Sequence, residues 1–251
     1  MKNEDSWRPS KYVLRRGALV GSRNVDEVGV SSRLIADLIA SHYDAYVPRY
    51  ARGKLVDLGC GKVPLYGVYR PHVDSVTCVD WGHSVHADSH LDVRTSLSEK
   101  LPFSDGQFDT IILSDVLEHI AEPGMLWAEM ARILAPNGHA LVNVPFLYGV
   151  HEAPYDFYRY TEYALRRFAS LAGLEVCLLD VVGGSLEVLA DLIAKHLTVV
   201  PVIGVPLSIL IQAVVTLLGR TGWGRALAAR TGARFPLGYF MVVQRPVVVS
   251  Q

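Results

Sequence analysis

Short stretches of this chain bring together residues whose types and spacing suit chemistry. VDLGCG places Asp57, Gly59, Cys60 and Gly61 within one turn-forming segment. Glycine lets a backbone approach a ligand closely and take dihedrals that other residues avoid. The segment therefore reads as a ligand-hugging loop, with a bare turn as the alternative. Lys62, Val63 and Pro64 follow, so the spacing is neither GxGxxG nor GxxxxGK[ST], which counts against a dinucleotide and against a nucleoside triphosphate. CVDW supplies Asp80 and Trp81. A carboxylate can accept hydrogen bonds from both hydroxyls of a ribose, and an indole can stack on a purine. A solvated turn acid and a core tryptophan are the alternatives.

A third stretch, PFLYGVHEAPYDFYRYT, gathers Phe146, Tyr148, His151, Glu152, Tyr155, Asp156, Tyr158 and Arg159. A solvated loop does not need that density of rings and charges, so the segment is expected to recognise a substrate. An imidazole titrates near pH ~6.5, close to working pH, which makes His151 the first candidate for a general base acting on a hydroxyl. The alternative is that it pins the loop. Glu152 and Asp156 either serve as the base or orient the imidazole. Arg159 either binds an acidic substrate group or clamps Asp156, and the aromatic residues either line an acceptor pocket or pack. His83, His86 and His90 have a spacing that suits a metal, but no cysteine flanks them, and no metal is expected.

These stretches need elements to hold them. KLVDL, SVTCVD, FDTIILSD, HALVNVP and EVCLLDVV read as buried strands, with GYFMVVQR as a last strand beside EVCLLDVV. Apolar residues at three- and four-residue steps make SSRLIADLIASHYDAYV a helix, capped by Ser31 or Ser32. EPGMLWAEMARIL is a helix with Pro123 in its first turn and Met125, Leu126, Met130, Ile133 and Leu134 inward, closed by APNG. TEYALRRFASLAG is a helix that Thr161 caps and Gly173 ends, with Leu165, Phe168 and Leu171 inward. Alternating helices and continuously apolar strands require a parallel sheet covered on both faces. Ligands bind such sheets beyond the carboxyl ends of the strands, where the glycine loop, Asp80 and the aromatic segment all fall. The first thirty residues, 1–30, read as an irregular arm with one short helix around Tyr12.

Four segments follow: the arm 1–30, an α/β core at 31–184, an apolar helical insertion or lid at 185–236, and a last strand with its tail at 237–251. SLEVLADLIAKHL within the insertion is an amphipathic helix. From Leu197 to Gly219 no residue is charged, a length sufficient to cross a bilayer. Pro201, Gly204, Pro206 and Gln212 interrupt it, so a substrate-covering helix pair is expected. A peripheral membrane contact or a homodimer face through 197–219 are the alternatives.

Together VDLGCG, CVD, LPFSDGQFDTIILSDVLEHI and ARILAPNGHALVNVP resemble, in this order, the class I S-adenosylmethionine-dependent methyltransferases of the type 11 group. The resemblance covers about residues 54–183. It implies a Rossmann-like, doubly wound sheet of seven strands, mostly parallel with an antiparallel last strand, and S-adenosylmethionine as cofactor. It also implies that the glycine loop of Asp57, Gly59, Cys60 and Gly61 approaches the methionine part and that Asp80 holds the ribose. Asp92, with Val93 beside it, would read the adenine, and Asp115, Val116 and His119 would flank the cofactor. His119 is also a second candidate base. Val63 stands where the family has a third loop glycine, and only eleven residues separate Asp80 from Asp92, which leaves a compact connection in place of a helix. HE-P-DF-RYT resembles one branch of these enzymes, associated with sugar or natural-product modification. The implied activity is O-methylation of a small hydroxylated acceptor such as a sugar or secondary metabolite. A lipid-like or prenylated acceptor at a membrane surface is the alternative, and a non-catalytic cofactor-binding scaffold is another.

Composition agrees with that reading. The chain has 251 residues, half of them hydrophobic, with 24 basic and 25 acidic residues. A formal charge of -1 gives no electrostatic footprint for nucleic acid. Cys60, Cys78 and Cys177 have no pair spacing, so each reads as a small buried hydrophobe. MKNEDSWRPSKYVLRRG is too polar for a signal peptide, and a cytoplasmic location is expected.

Overall fold

The structure is a computed structural model that describes residues 1–81 and 89–247. Its centre is a seven-stranded sheet. In chain order the strands are β3 (Lys54–Leu58), β4 (Ser75–Asp80), β5 (Val93–Arg94), β6 (Phe108–Ser114), β7 (Leu134–Pro145), β8 (Glu175–Val182) and β9 (Gly238–Gln244). They lie in the order β5-β4-β3-β6-β7-β9-β8. The pairs from β5 to β7 are parallel, and β9 runs antiparallel to both of its neighbours. This is the expected doubly wound sheet.

Successive strand residues face opposite sides and feed two cores. Leu55, Cys78, Ile112, Leu141 and Phe240 pack under α1 (Arg33–Tyr50), with Ile35, Ile39, Tyr43 and Val47. Val56, Val79, Ile111, Leu113 and Val142 pack under α3 (Pro123–Ile133) and α4 (Glu162–Leu171), with Leu126, Trp127, Met130 and Leu165. Because both faces are covered, the strands read as unbroken apolar runs. Thr161 caps α4 by accepting from the Ala164 amide, and Gly173 ends that helix at φ +71°.

Several local expectations are corrected. Around Tyr12 there is no helix but a hairpin, β1 (Tyr12–Arg15) and β2 (Ala18–Gly21), turned by Arg16 and Gly17 at φ +54° and +82°. Two consecutive positive φ values make the two-residue turn that matches strand twist. Ser32 sits at the N-cap of α1 but its side chain makes no capping bond. The Leu34 amide instead donates to Gln212 Oε1 at 2.9 Å, from far along the chain. Met125 and Leu171 are exposed, and Trp127 takes the buried place on α3. APNG is not a loop but part of β7, where the register with β6 jumps between Phe108 and Thr110 and Asn137 has φ +61°. Cys60 and Cys78 are buried as expected; Cys177 is exposed.

Between β8 and β9 the chain forms three helices, α5 (Ser185–Leu197), α6 (Gly204–Gly219) and α7 (Gly222–Gly232). A small cluster of Leu34, Ala190 and Val215 joins them to the start of α1. Among the described residues no single helix is long and apolar enough to cross a membrane, and α6 and α7 reach that length only as a pair bent by 97°.

Candidate active site

Two cavities open at the carboxyl end of the sheet and share a wall made of Lys11, Glu27, Asp115 and Glu152. The larger, about 530 Å³, runs over the tips of β3 and β4. Gly59, Cys60, Gly61, Asp80, Trp81, Asp115, Val116 and His119 line it, as the sequence predicts. Gly59 has φ +72°, and a Cβ there would meet Val116 Cγ2 at 2.4 Å. Only glycine fits this close approach of the loop to the segment after β6. Val63 is buried with φ +51°. The backbone thus keeps the left-handed turn that a glycine would take easily, held by the Trp7 indole donating to the Val63 carbonyl at 3.0 Å.

Asp80 lies at the wall of the larger cavity. It accepts from the Gly61 amide at 2.8 Å and from the Trp81 amide at 2.7 Å. Trp81 stands edge-on to Tyr155, with ring centroids 5.1 Å apart.

Three predicted residues lie elsewhere. Asp57 is buried behind the loop, where the Tyr69 hydroxyl donates to it at 2.9 Å. Burial raises its pKa to about 7, with repulsion from Asp80 acting in the same direction against the Tyr69 bond. It supports the loop from beneath. Asp92 accepts from the Cys78 amide at 2.8 Å and pairs with the Met1 ammonium at 3.3 Å. It lines neither cavity, and nor does Val93, which pairs with Val79 in the sheet. The wall at that end is formed by Ser96, Leu97 and Ser98. His83 and His86 lie outside the described residues, whereas His90 is buried with Nδ1 against the Lys2 carbonyl.

The smaller cavity, about 280 Å³, has one apolar side formed by Val28, Ile35, Ile39, Val182 and Leu237. At its polar end stand Glu118, His151 and Tyr148. Glu118 is the residue the sequence reading missed. Its side chain is 0% exposed, and neither carboxylate oxygen has a hydrogen-bond partner. Burial raises its pKa. Oε1 lies 3.7 Å from His151 Nε2 and 3.8 Å from His119 Nε2. Both rings are anchored through Nδ1, His119 on the Tyr155 carbonyl at 3.0 Å and His151 on the Gly149 carbonyl at 3.3 Å. The facing Glu118 carboxylate raises the pKa of His151 against the opposing effect of burial. Ligand atoms of Glu118, His119 and His151 lie within 4.8 Å of one another, compact enough for a divalent ion as well as for a shared proton.

Asp156 is not available as a base. Arg159 grips both of its oxygens, at 2.5 and 2.7 Å, and the His151 amide donates to it at 2.9 Å. The guanidinium holds its carboxyl well below the usual range. Arg159 is spent on this clamp and on the carbonyls of Tyr148, Gly149 and Tyr158, so it lines neither cavity. Tyr158 donates to the Ala121 carbonyl at 2.9 Å, and Phe146 packs on Tyr239; neither lines a cavity. Tyr148 borders the smaller cavity, Tyr155 the larger, and Glu152 both. A second unforeseen residue is Lys11 on the hairpin, which donates to Asp115 at 2.7 Å while Asn143 donates to the other oxygen at 2.5 Å.

Residues 56–142 match a family model described as a methyltransferase domain. That segment of the chain is similar to methyltransferase domains. The ubiquinone biosynthesis O-methyltransferase of Maricaulis maris is 29% identical over 113 residues, which cover 41% of this chain and 44% of that protein. The chain therefore spans less than half the length of this curated relative. Among solved structures, an S-adenosylmethionine-dependent methyltransferase from Mesorhizobium loti aligns with a TM-score of 0.54 at 13% identity, over 84% of this chain and all of that one. The [4+2]-cyclase SpnF aligns equally well, with a TM-score of 0.54 at 19% identity over 84% of each chain. Those two likenesses concern the fold. The matched residues contribute the floor of the larger cavity. Residues 27–39, the 143–152 segment and the facing ends of β8 and β9, outside the matched residues, supply most of the smaller one.

Proposed function

We propose that this protein binds S-adenosylmethionine in the larger cavity and methylates a hydroxyl of a small acceptor held in the smaller one. The observation that carries the reading is the pair of cavities meeting at one wall, with the acid Asp80 and the glycine loop on one side and the Glu118–His151 pair on the other. The residues fit the cofactor by their chemistry: a carboxylate at the cavity wall that can accept from ribose hydroxyls, an indole on the same wall for a purine, and apolar Leu97 and Ile120 beside them. When bound, S-adenosylmethionine supplies a methyl group already activated on a cationic sulfur.

The chain's own part is positioning and proton removal. Holding a nucleophile at contact distance is worth up to about 7–11 kcal/mol in ideal intramolecular cases. His151 takes the hydroxyl proton at Nε2, and the buried Glu118 stabilises the imidazolium that forms. The Asp156–Arg159 clamp fixes the His151 backbone. His119 braces the far side of Glu118, and Glu152 closes the shared wall.

The smaller cavity sets an apolar side, from Val28, Ile35, Ile39, Val182 and Leu237, against a polar end, which favours an acceptor with an apolar body and a hydroxyl head. The test is release of S-adenosylhomocysteine from S-adenosylmethionine with a panel of phenols, amphiphilic alcohols and free sugars. Turnover with the first two classes and not the third is expected. Turnover with free sugars alone overturns the acceptor class.

A further inference from the structure

Helix α6 is built the wrong way round for a protein in water. Its buried positions are Gly204, Ser208, Gln212 and Val215, spaced by three and four residues. The small or polar side chains therefore face the protein. Gln212 donates to the Val30 and Ser208 carbonyls, at 2.9 and 3.0 Å, and accepts from the Leu34 amide, which explains why a glutamine is buried here. The aliphatic residues point outward: Val205, Leu207, Ile209, Leu210, Val214 and Leu217 are exposed, Leu210 by 58%. The turn before the helix adds Val199, Val202 and Ile203, with Val202 92% exposed, and α7 adds Trp223. A soluble surface scatters such residues singly; a contiguous face of them marks a contact.

Charge identifies the partner. Every acidic residue of the chain lies at or before Asp191, and Asp191 is itself buried and paired with Lys195. From residue 192 onward the chain is cationic, with Arg220, Arg225, Arg230 and Arg234 all exposed beside the apolar face. Two copies of this surface related by a two-fold axis bring arginines near arginines, and no residue after Asp191 supplies a carboxylate to pair with them, which disfavours self-association. An anionic bilayer offers both what the aliphatic face needs and what the arginines need, and a tryptophan at the rim suits the headgroup region.

We propose that α6, with the turn before it and α7, docks the protein flat on a membrane containing anionic lipids. The 97° bend between α6 and α7 keeps the pair in the interface plane and not across it. The docked face is one helix layer from the acceptor cavity, because Gln212 bonds to Val30 and Leu34, which adjoin the lining residues Gly29, Ser32 and Ile35. The docking surface stands on its own observations and does not depend on the methyl-transfer reading.

The test is sedimentation of the full chain with phosphatidylcholine vesicles, with and without phosphatidylglycerol. The expected result is pelleting with the phosphatidylglycerol vesicles, weakened by salt. The double variant Ile209→Glu with Leu210→Glu should lose it. Arg225→Gln with Arg230→Gln should weaken it by about tenfold or more. Both variants change exposed side chains, so they should keep the wild-type thermal melt and affinity for S-adenosylmethionine. Wild-type protein that stays in the supernatant with both vesicle types overturns the proposal. So does a soluble dimer in analytical ultracentrifugation that the Ile209→Glu, Leu210→Glu variant splits into monomers.

Discussion

Strand β6 and helix α6 are both runs of aliphatic residues, and they meet opposite fates. Ile111, Ile112 and Leu113 of β6 are fully buried between two helical layers, whereas Ile209, Leu210 and Leu217 of α6 face outward. Apolar composition states only that a residue avoids water. What it is placed against depends on the neighbours the fold supplies. β6 has neighbours on both faces, while α6 seats its polar stripe on α1 and leaves its aliphatic side without cover from the described residues. The same contrast separates catalysis from docking. The proposed chemistry gathers where acids and histidines are pinned beside the sheet, and the proposed contact surface gathers in the stretch after Asp191, which contributes no acid.

The largest effect should come from the pinned side. His151→Ala is expected to lower turnover by about 10²–10⁴-fold, the range for loss of a general base, with affinity for S-adenosylmethionine unchanged by calorimetry. Full turnover would leave His151 a loop pin. Next come paired truncations that compare the two aliphatic runs directly. Ile112→Ala should cost about 2–5 kcal/mol in a urea melt, and Ile209→Ala should fall within about 0.5 kcal/mol of wild type. Equal costs would mean that α6 packs in solution as β6 does.

A smaller effect is a shift in the pH profile. Because Glu118 raises the His151 pKa above 6.5, the rate should rise with pH through that raised value, as the imidazole becomes neutral. The stability contributed by the same pair has the opposite sense: fully present below about 6.5, it is lost as pH rises through the folded value. Glu118→Gln should move the acidic limb of the rate profile downward, and an unmoved limb would uncouple the two groups. The smallest expected effect is none: dialysis against a chelator should leave the rate unchanged. A loss restored by a divalent ion would make Glu118, His119 and His151 metal ligands in place of a proton-transfer pair.

Much of this contrast is visible in the sequence. Continuous apolar strands, the glycine loop, and Asp80 at a strand end place the sheet and the cavity above it. Residues whose role depends on a distant partner are harder to read. Glu118 looks like a surface acid beside His119 until the 148–157 segment folds over it. Lys11, just before a hairpin too short for its alternation to stand out, meets Asp115 from 104 residues away in the chain. Ser32 looks like a helix cap, and Gln212 does the work from another helix. Asp92 matches a family position but is drawn away by the Cys78 amide and the Met1 ammonium. The uncharged 197–219 run shows apolarity but not direction, since only the buried Gly204, Ser208 and Gln212 reveal which side faces out.

The central claim is that the cavity above β3 and β4 holds a nucleoside whose sugar is gripped by Asp80. Titration calorimetry of S-adenosylmethionine into wild type and Asp80→Ala tests it most directly. The account predicts saturable binding to wild type and a Kd at least about tenfold weaker in the variant, from the loss of charge-assisted hydrogen bonds worth about 1.5–3 kcal/mol. Equal affinities, or no heat with wild type at millimolar cofactor, would contradict it.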